Sequence, residues 1–143
     1  MVNEARLRLA LDALRSDRFE QGYGALSFID PTDGKVKYCC LGVMCEVAIE
    51  NGLELAKKHC DDVESTNFVY GTWEDGGFLP IEVRNWYELD STNPRVGGQR
   101  ATYLNDDMHM PFARIADEFE KTYLPNEENN LEDEDEDAET ESE

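Results

Sequence analysis

The chain has 143 residues, enough for one domain with a substantial core and too few to expect two. It carries 33 acidic against 13 basic residues, a net charge of −20, which excludes nucleic acid as an expected direct ligand because duplex binding rests on phosphate neutralisation by Lys and Arg. No apolar run approaches the roughly 18–20 residues that span a bilayer, and the N-terminus lacks the basic-then-apolar layout of a secretory signal, so a soluble protein without membrane association is expected.

Residues 3–16 place Leu7, Leu11 and Leu14 on one face, with Arg6, Arg8, Asp12 and Arg15 mostly opposite. That spacing predicts an amphipathic helix in an outer layer. Residues 25–29 and 35–38 read as two short strands around the turn Asp30-Pro31-Thr32-Asp33-Gly34, a hairpin whose second arm alternates charged and apolar side chains. This arm leads directly into the stretch that organises the chain. Leu41, Met44, Cys45, Ala48 and Ile49 fall on one helical face, Val43 and Val47 flank it, and only Glu46 and Glu50 are left for water. A buried central helix is therefore predicted over about 40–51, ended by Asn51-Gly52.

Leu53-Glu54-Leu55-Ala56 could prolong that helix, residues 68–73 read as a strand, and residues 74–77 as a turn. Leu79-Pro80 opens a helix with Pro at its first position and an apolar stripe of Val83, Trp86 and Tyr87. Asn93-Pro94 and Gly97-Gly98 mark a loop, and residues 101–104 could form one more strand. Pro111 starts the last helix, in which Phe112, Ile115, Ala116, Phe119 and Tyr123 recur at helical spacing. Residues 126–143 hold eleven acids and no base, a composition that cannot bury enough apolar surface to offset chain entropy. The expected organisation is thus a globular α+β domain over 1–125 and a disordered acidic tail over 126–143. The domain should be helix-dominated, with about four helices and a small antiparallel sheet. Its body keeps 22 acids against 13 bases, or −9 without the tail.

Four segments occur in fixed order: Tyr38-Cys39-Cys40-Leu41-Gly42-Val43 with Cys45, Leu79-Pro80 with Val83 and Trp86, Ala101-Thr102-Tyr103-Leu104-Asn105-Asp106, and Phe112-Ala113-Arg114-Ile115-Ala116-Asp117. Together they resemble a group of short bacteriophage proteins without an assigned activity, marked by Cys-Cys-Leu-Gly and a later Leu-Asn-Asp followed by Phe-x-x-Ile-Ala-Asp. The resemblance covers roughly residues 5–124 and implies a phage protein acting in the host cytoplasm. Met108-His109-Met110 departs from the pattern, which weakens any mechanism leaning on His109.

Three chemistries fit the residues. A cysteine at a helix N-terminus entered from a strand has the outline of a thiol hydrolase, with Cys39 or Cys40 as nucleophile, His109 as base and Asp106 or Asp107 as its orienting carboxylate. The apolar surroundings favour buried, reduced structural thiols instead. A zinc set could be drawn from Cys40, Cys45, His59 and Cys60, but its spacing is poor and no metal or cofactor is expected. Asn105-Asp106-Asp107 lacks the calcium-loop pattern and reads as a turn and capping segment. The reading favoured over these is a binding protein whose interaction surface comprises Glu46, Glu50, Glu54, Asp61, Asp62, Trp86 and Tyr87. Its partner would be a host or phage protein with a basic, nucleic-acid-binding surface.

Overall fold

The computed structural model describes residues 2–59, 67–71 and 78–124. The expectations for Cys60, Asp61, Asp62, Trp73, the turn at 74–77 and the acidic tail lie outside them. The described chain is a small α+β fold: α1 (Glu4–Arg15), β1 (Ser27–Ile29), β2 (Val36–Tyr38), α2 (Cys40–Glu50), β3 (Lys57–His59), β4 (Phe68–Tyr70), α3 (Ile81–Tyr87), β5 (Arg95–Val96), β6 (Gln99–Arg100), a π-helix (Tyr103–Asp107) and α4 (Phe112–Tyr123).

Helix α2 is the centre. Cys40, Leu41, Gly42, Val43, Met44, Cys45, Val47 and Ala48 are buried, leaving Glu46, Ile49 and Glu50 at its edge. It ends in a Schellman arrangement: the Gly52 N–H donates to the Ile49 carbonyl at 3.2 Å and the Leu53 N–H to the Ala48 carbonyl at 3.0 Å. Gly52 takes φ +105°, a value that glycine adopts without strain. The same bonds explain why 53–56 does not prolong the helix. The chain leaves Gly52 without helical structure and enters β3 instead.

Helix α1 lays Leu7, Ala10, Leu11 and Leu14 into the core, and α4 adds Phe112, Ile115, Ala116 and Phe119. Each fully buried Leu, Ile or Phe contributes about 1.5–3 kcal/mol of transfer free energy, and α1 packs against both α2 and α4, so its apolar face ties the three helices into one core. Asn3 caps α1 by accepting from the Arg6 N–H at 3.1 Å. Tyr87, on the short α3, is fully buried and donates from its hydroxyl to the Met44 carbonyl at 2.7 Å, tying α3 to α2.

The strands form three antiparallel two-stranded ladders, β1–β2, β3–β4 and β5–β6, rather than one sheet. A parallel bridge from Gln21 to Tyr38 lays the segment before β1 beside β2. Gly42 lets α2 approach this layer, since a Cβ there would stand 1.8 Å from the Leu26 carbonyl oxygen. Two sequence expectations need correction. Residues 101–104 are helical and run into the π-helix, because the β5–β6 turn fills the place expected to be loop and Asn105 is drawn into the core. Pro80 and Pro111 are N-caps with extended backbone, not first helical residues. Their carbonyls accept the opening helical bonds from Arg84 and Ile115, both at 3.0 Å.

Candidate functional site

The two signature segments meet in space. Cys39 is the N-cap of α2 and its side chain makes no capping bond. The vacancy at the helix start is filled from 65 residues away, where Asn105 Oδ1 accepts from the Cys40 N–H at 3.3 Å and from Gln21 Nε2 at 3.0 Å. Asn105 Nδ2 donates to the Gly22 carbonyl at 3.0 Å and to Asp106 Oδ1 at 2.7 Å. Gln21 also donates to the Met110 carbonyl at 2.8 Å, and Asp106 accepts from the Gly24 N–H at 3.0 Å. Asn105 is fully buried, and with both amide ends occupied it can be so at little cost. The π-helix supports this placement through the Met108 N–H, which donates to the Tyr103 carbonyl at 3.0 Å.

This network separates the three groups of the hydrolase reading. Cys40 is fully buried and its Sγ is directed at the Ala101 carbonyl, 3.8 Å away. Burial pushes its pKa well above the ordinary thiol value, and pushes that of Cys39 up to about 12. Nearby Asp106 adds to both shifts, so its carboxylate opposes thiolate formation. Its Oδ1 is engaged by Gly24 and Asn105, not by an imidazole. His109 is exposed, sits at φ +52°, and stacks on Tyr23 with ring centroids 4.1 Å apart and planes 24° from parallel. The helix start therefore buries its thiols and presents no activated nucleophile.

Among the described residues, no group of three or more His, Cys, Asp or Glu side chains is placed to hold a metal ion. Cys45 is fully buried within α2. His59 lies on β3, its ring 4.8 Å from that of Phe68.

Of the described acids of the expected acidic face, Glu46 and Glu50 are engaged by the fold itself. Glu46 Oε2 accepts from Lys57 Nζ and from the Tyr70 hydroxyl, both at 2.6 Å, and Tyr70 in turn shares a 2.7 Å hydrogen bond with the buried Ser27 hydroxyl. Glu50 pairs with Arg18. These two edge the helix, as their position implied, but neither is unpaired. Glu54 is exposed. Trp86 is half-buried under the Arg6 guanidinium, which stands 4.5 Å from its ring centroid, and Arg6 also donates to the Trp86 carbonyl at 2.9 Å. Tyr87 is core, removed from any surface by its full burial. The long apolar stripe of α3 belongs to packing because the helix ends at Tyr87, with Glu88 as its left-handed C-cap.

Ten of the 13 basic side chains are turned back on the chain. Arg15, Arg18, Lys35, Lys37, Lys57 and Lys121 reach carboxylates, while Arg6, Arg84, Arg95 and Arg100 donate to main-chain carbonyls. Exposed Glu4, Asp12, Asp17, Glu54, Glu88, Asp90 and Asp107 carry no ion pair among the described residues. Beside one of these, Asp12, lies a groove of about 310 Å³ between α1 and the end of α2, floored by Leu9, Ala13 and Val47 and rimmed by Asp12 and the Arg18–Glu50 pair.

Sequence reasoning missed Gln21 and Tyr23. No periodicity marks a loop glutamine as a bridge, and a tyrosine between two glycines gives no sign of the histidine it stacks on 86 positions later.

Comparison with protein-family models matches residues 4–123 to a Domain of unknown function (DUF8296). No curated protein and no solved structure matches the chain.

Proposed function

We propose that this chain, which belongs to the DUF8296 family, is a bacteriophage accessory protein that acts by binding a basic, nucleic-acid-binding protein in the host cytoplasm. The phage and host assignments rest on the resemblance to short bacteriophage proteins carried by the ordered Cys-Cys-Leu-Gly and Leu-Asn-Asp segments. The binding mode rests on one observation: ten of the 13 basic side chains are directed at the chain's own carboxylates or carbonyls, while seven exposed acids stand without ion pairs among the described residues. A surface so arranged repels phosphate and attracts cationic protein. The buried thiols leave the hydrolase alternative without a nucleophile, so binding is preferred.

The test begins with affinity purification of the full chain from infected host cells and mass spectrometry of what it retains. The partner is then purified and titrated against the chain. Its affinity should fall steeply between roughly 50 and 300 mM salt, as the Debye length drops below about 10 Å, and nucleic acid should compete. A salt-independent complex, or direct binding of this chain to DNA or RNA, overturns the reading.

A further inference from the structure

Among the described residues, three half-buried aromatic rings are covered by cations of the same chain. Trp86 lies under Arg6 at 4.5 Å, Phe19 under Arg18 at 4.9 Å, and Phe68 under Lys57 at 4.8 Å, so each of these rings has a cation from its own chain. The Tyr23–His109 stack has none among the described residues, although Tyr23 is 43% exposed. Two acids adjoin the residues of this stack. The Gly24 N–H, one residue from Tyr23, donates to Asp106, and exposed Asp107 lies two residues before His109. No ion pair reaches either carboxylate among the described residues.

Apolar exposure concentrates in the same place. Of the five large hydrophobic side chains most open to water among the described residues, Leu9 and Ile81 lie on α1 and α3, while Tyr23, Tyr103 and Met108 belong to this corner. Tyr103 and Met108 are joined by the π-helical hydrogen bond and stand a little over one turn apart, which brings them to one side of the element. A set of exposed rings and a thioether next to unpaired carboxylates has the composition that recognises a flat organic cation.

We propose that Tyr23, His109, Tyr103 and Met108, together with Asp106 and Asp107, form the receiving surface for an arginine side chain of the basic protein partner. The inference rests on the binding reading above and gives it a location. Arginine is favoured over lysine because the planar guanidinium stacks on the ring of Tyr23 while its N–H groups reach a carboxylate, whereas an ammonium presents a compact, strongly hydrated charge. Asn105 holds the surface in register: its buried amide fixes Gly22 before Tyr23 and Asp106 after itself.

The test uses the full chain, isotopically labelled, with an arginine-rich and a lysine-rich peptide of equal length at 150 mM salt, followed by NMR. The arginine peptide should shift the ring resonances of Tyr23 and His109 and bind at least fivefold more tightly than the lysine peptide. Tyr23→Ala and Asp107→Asn should each weaken it at least fivefold, whereas Asp117→Asn, at an exposed acid already paired with Arg15, should leave it within twofold. Both altered residues are exposed, and Asp107→Asn keeps the side-chain shape, so a folded control exists if Tyr23→Ala is perturbed. Shifts confined to other parts of the chain, or equal affinity in all variants, overturn this location while the general preference for a basic partner stands. Absence of binding by either peptide even at 50 mM salt overturns both.

Discussion

Asn105 Oδ1 lies 3.3 Å from the Cys40 backbone nitrogen and caps a helix to which Asn105 does not belong. The central helix begins with Cys39 as an N-cap that provides no side-chain bond, so its first free N–H depends on a residue from the π-helix. The two most distinctive segments of the sequence are thus two halves of one joint.

Replacing Asn105 by Ala should therefore be among the most damaging polar substitutions in the chain. It removes the acceptor for Cys40 and Gln21 and the donor for the buried Gly22 carbonyl. The expected loss is about 2–4 kcal/mol, measured by urea unfolding monitored through tryptophan fluorescence. Asn105→Asp should also destabilise, because a carboxylate cannot donate to Gly22 and would face Asp106. A change below about 0.5 kcal/mol for Asn105→Ala would show that water replaces the amide.

How far the sequence disclosed this depended on which interaction was local. Helices α1, α2 and α4 were legible because burial of Leu7, Leu11, Met44, Ile115 and Phe119 repeats at helical spacing, and Gly52 announced the end of α2. The segment from Ala101 was misread as a strand because four residues carry too little period to distinguish the two, and the side chain that decides it, Asn105, is satisfied by Gln21, Gly22 and Cys40 far away in sequence. Acidity around α2 was also legible, but not its pairing: the partners of Glu46 are Lys57 and Tyr70, and that of Glu50 is Arg18, all on other elements.

Gly42→Ala should test the close contact between α2 and the segment leading into β1. An added methyl would meet the Leu26 carbonyl oxygen at 1.8 Å, and that carbonyl also accepts from the Cys39 N–H at 3.1 Å, so neither side can yield freely. Elsewhere in a helix this substitution stabilises by up to about 1 kcal/mol. Here it should destabilise by about 3 kcal/mol or prevent folding, as read from the urea midpoint and near-ultraviolet circular dichroism.

The thiols of Cys39, Cys40 and Cys45 should resist iodoacetamide near neutral pH in the folded protein. All three are buried, and burial holds each in the neutral form. Peptide mapping after timed alkylation separates them from Cys60. Modification should appear only on unfolding, and Cys45→Ser should cost about 1–3 kcal/mol by placing a hydroxyl among apolar neighbours. Rapid native labelling of Cys39 or Cys40 would restore a nucleophile to the hydrolase reading.

Acid sensitivity should trace to the hairpin that precedes α2. Lys37 Nζ stands 3.1 Å from Glu20, 3.0 Å from Asp30 and 3.2 Å from Asp33, gathering three carboxylates around one ammonium. Asp30 accepts from the Thr32 hydroxyl and N–H as well as from Lys37, and these bonds lower its pKa from 3.8 to about 2. The Asp33 pKa is lowered too, chiefly by the Lys35 N–H. A carboxylate with a depressed folded-state pKa stabilises fully above its unfolded value and loses that contribution as pH falls through the folded one. Stability should therefore decline from about pH 4 towards pH 2. Lys37→Met should lower the melting temperature at pH 7, where the three carboxylates would be left facing one another, and the deficit should shrink by pH 2.5 as they take up protons. Thermal melts of both proteins across that range decide it: a deficit that stays constant with pH would mean that Lys37 contributes through the packing of its aliphatic stem, which is only 13% exposed as a side chain.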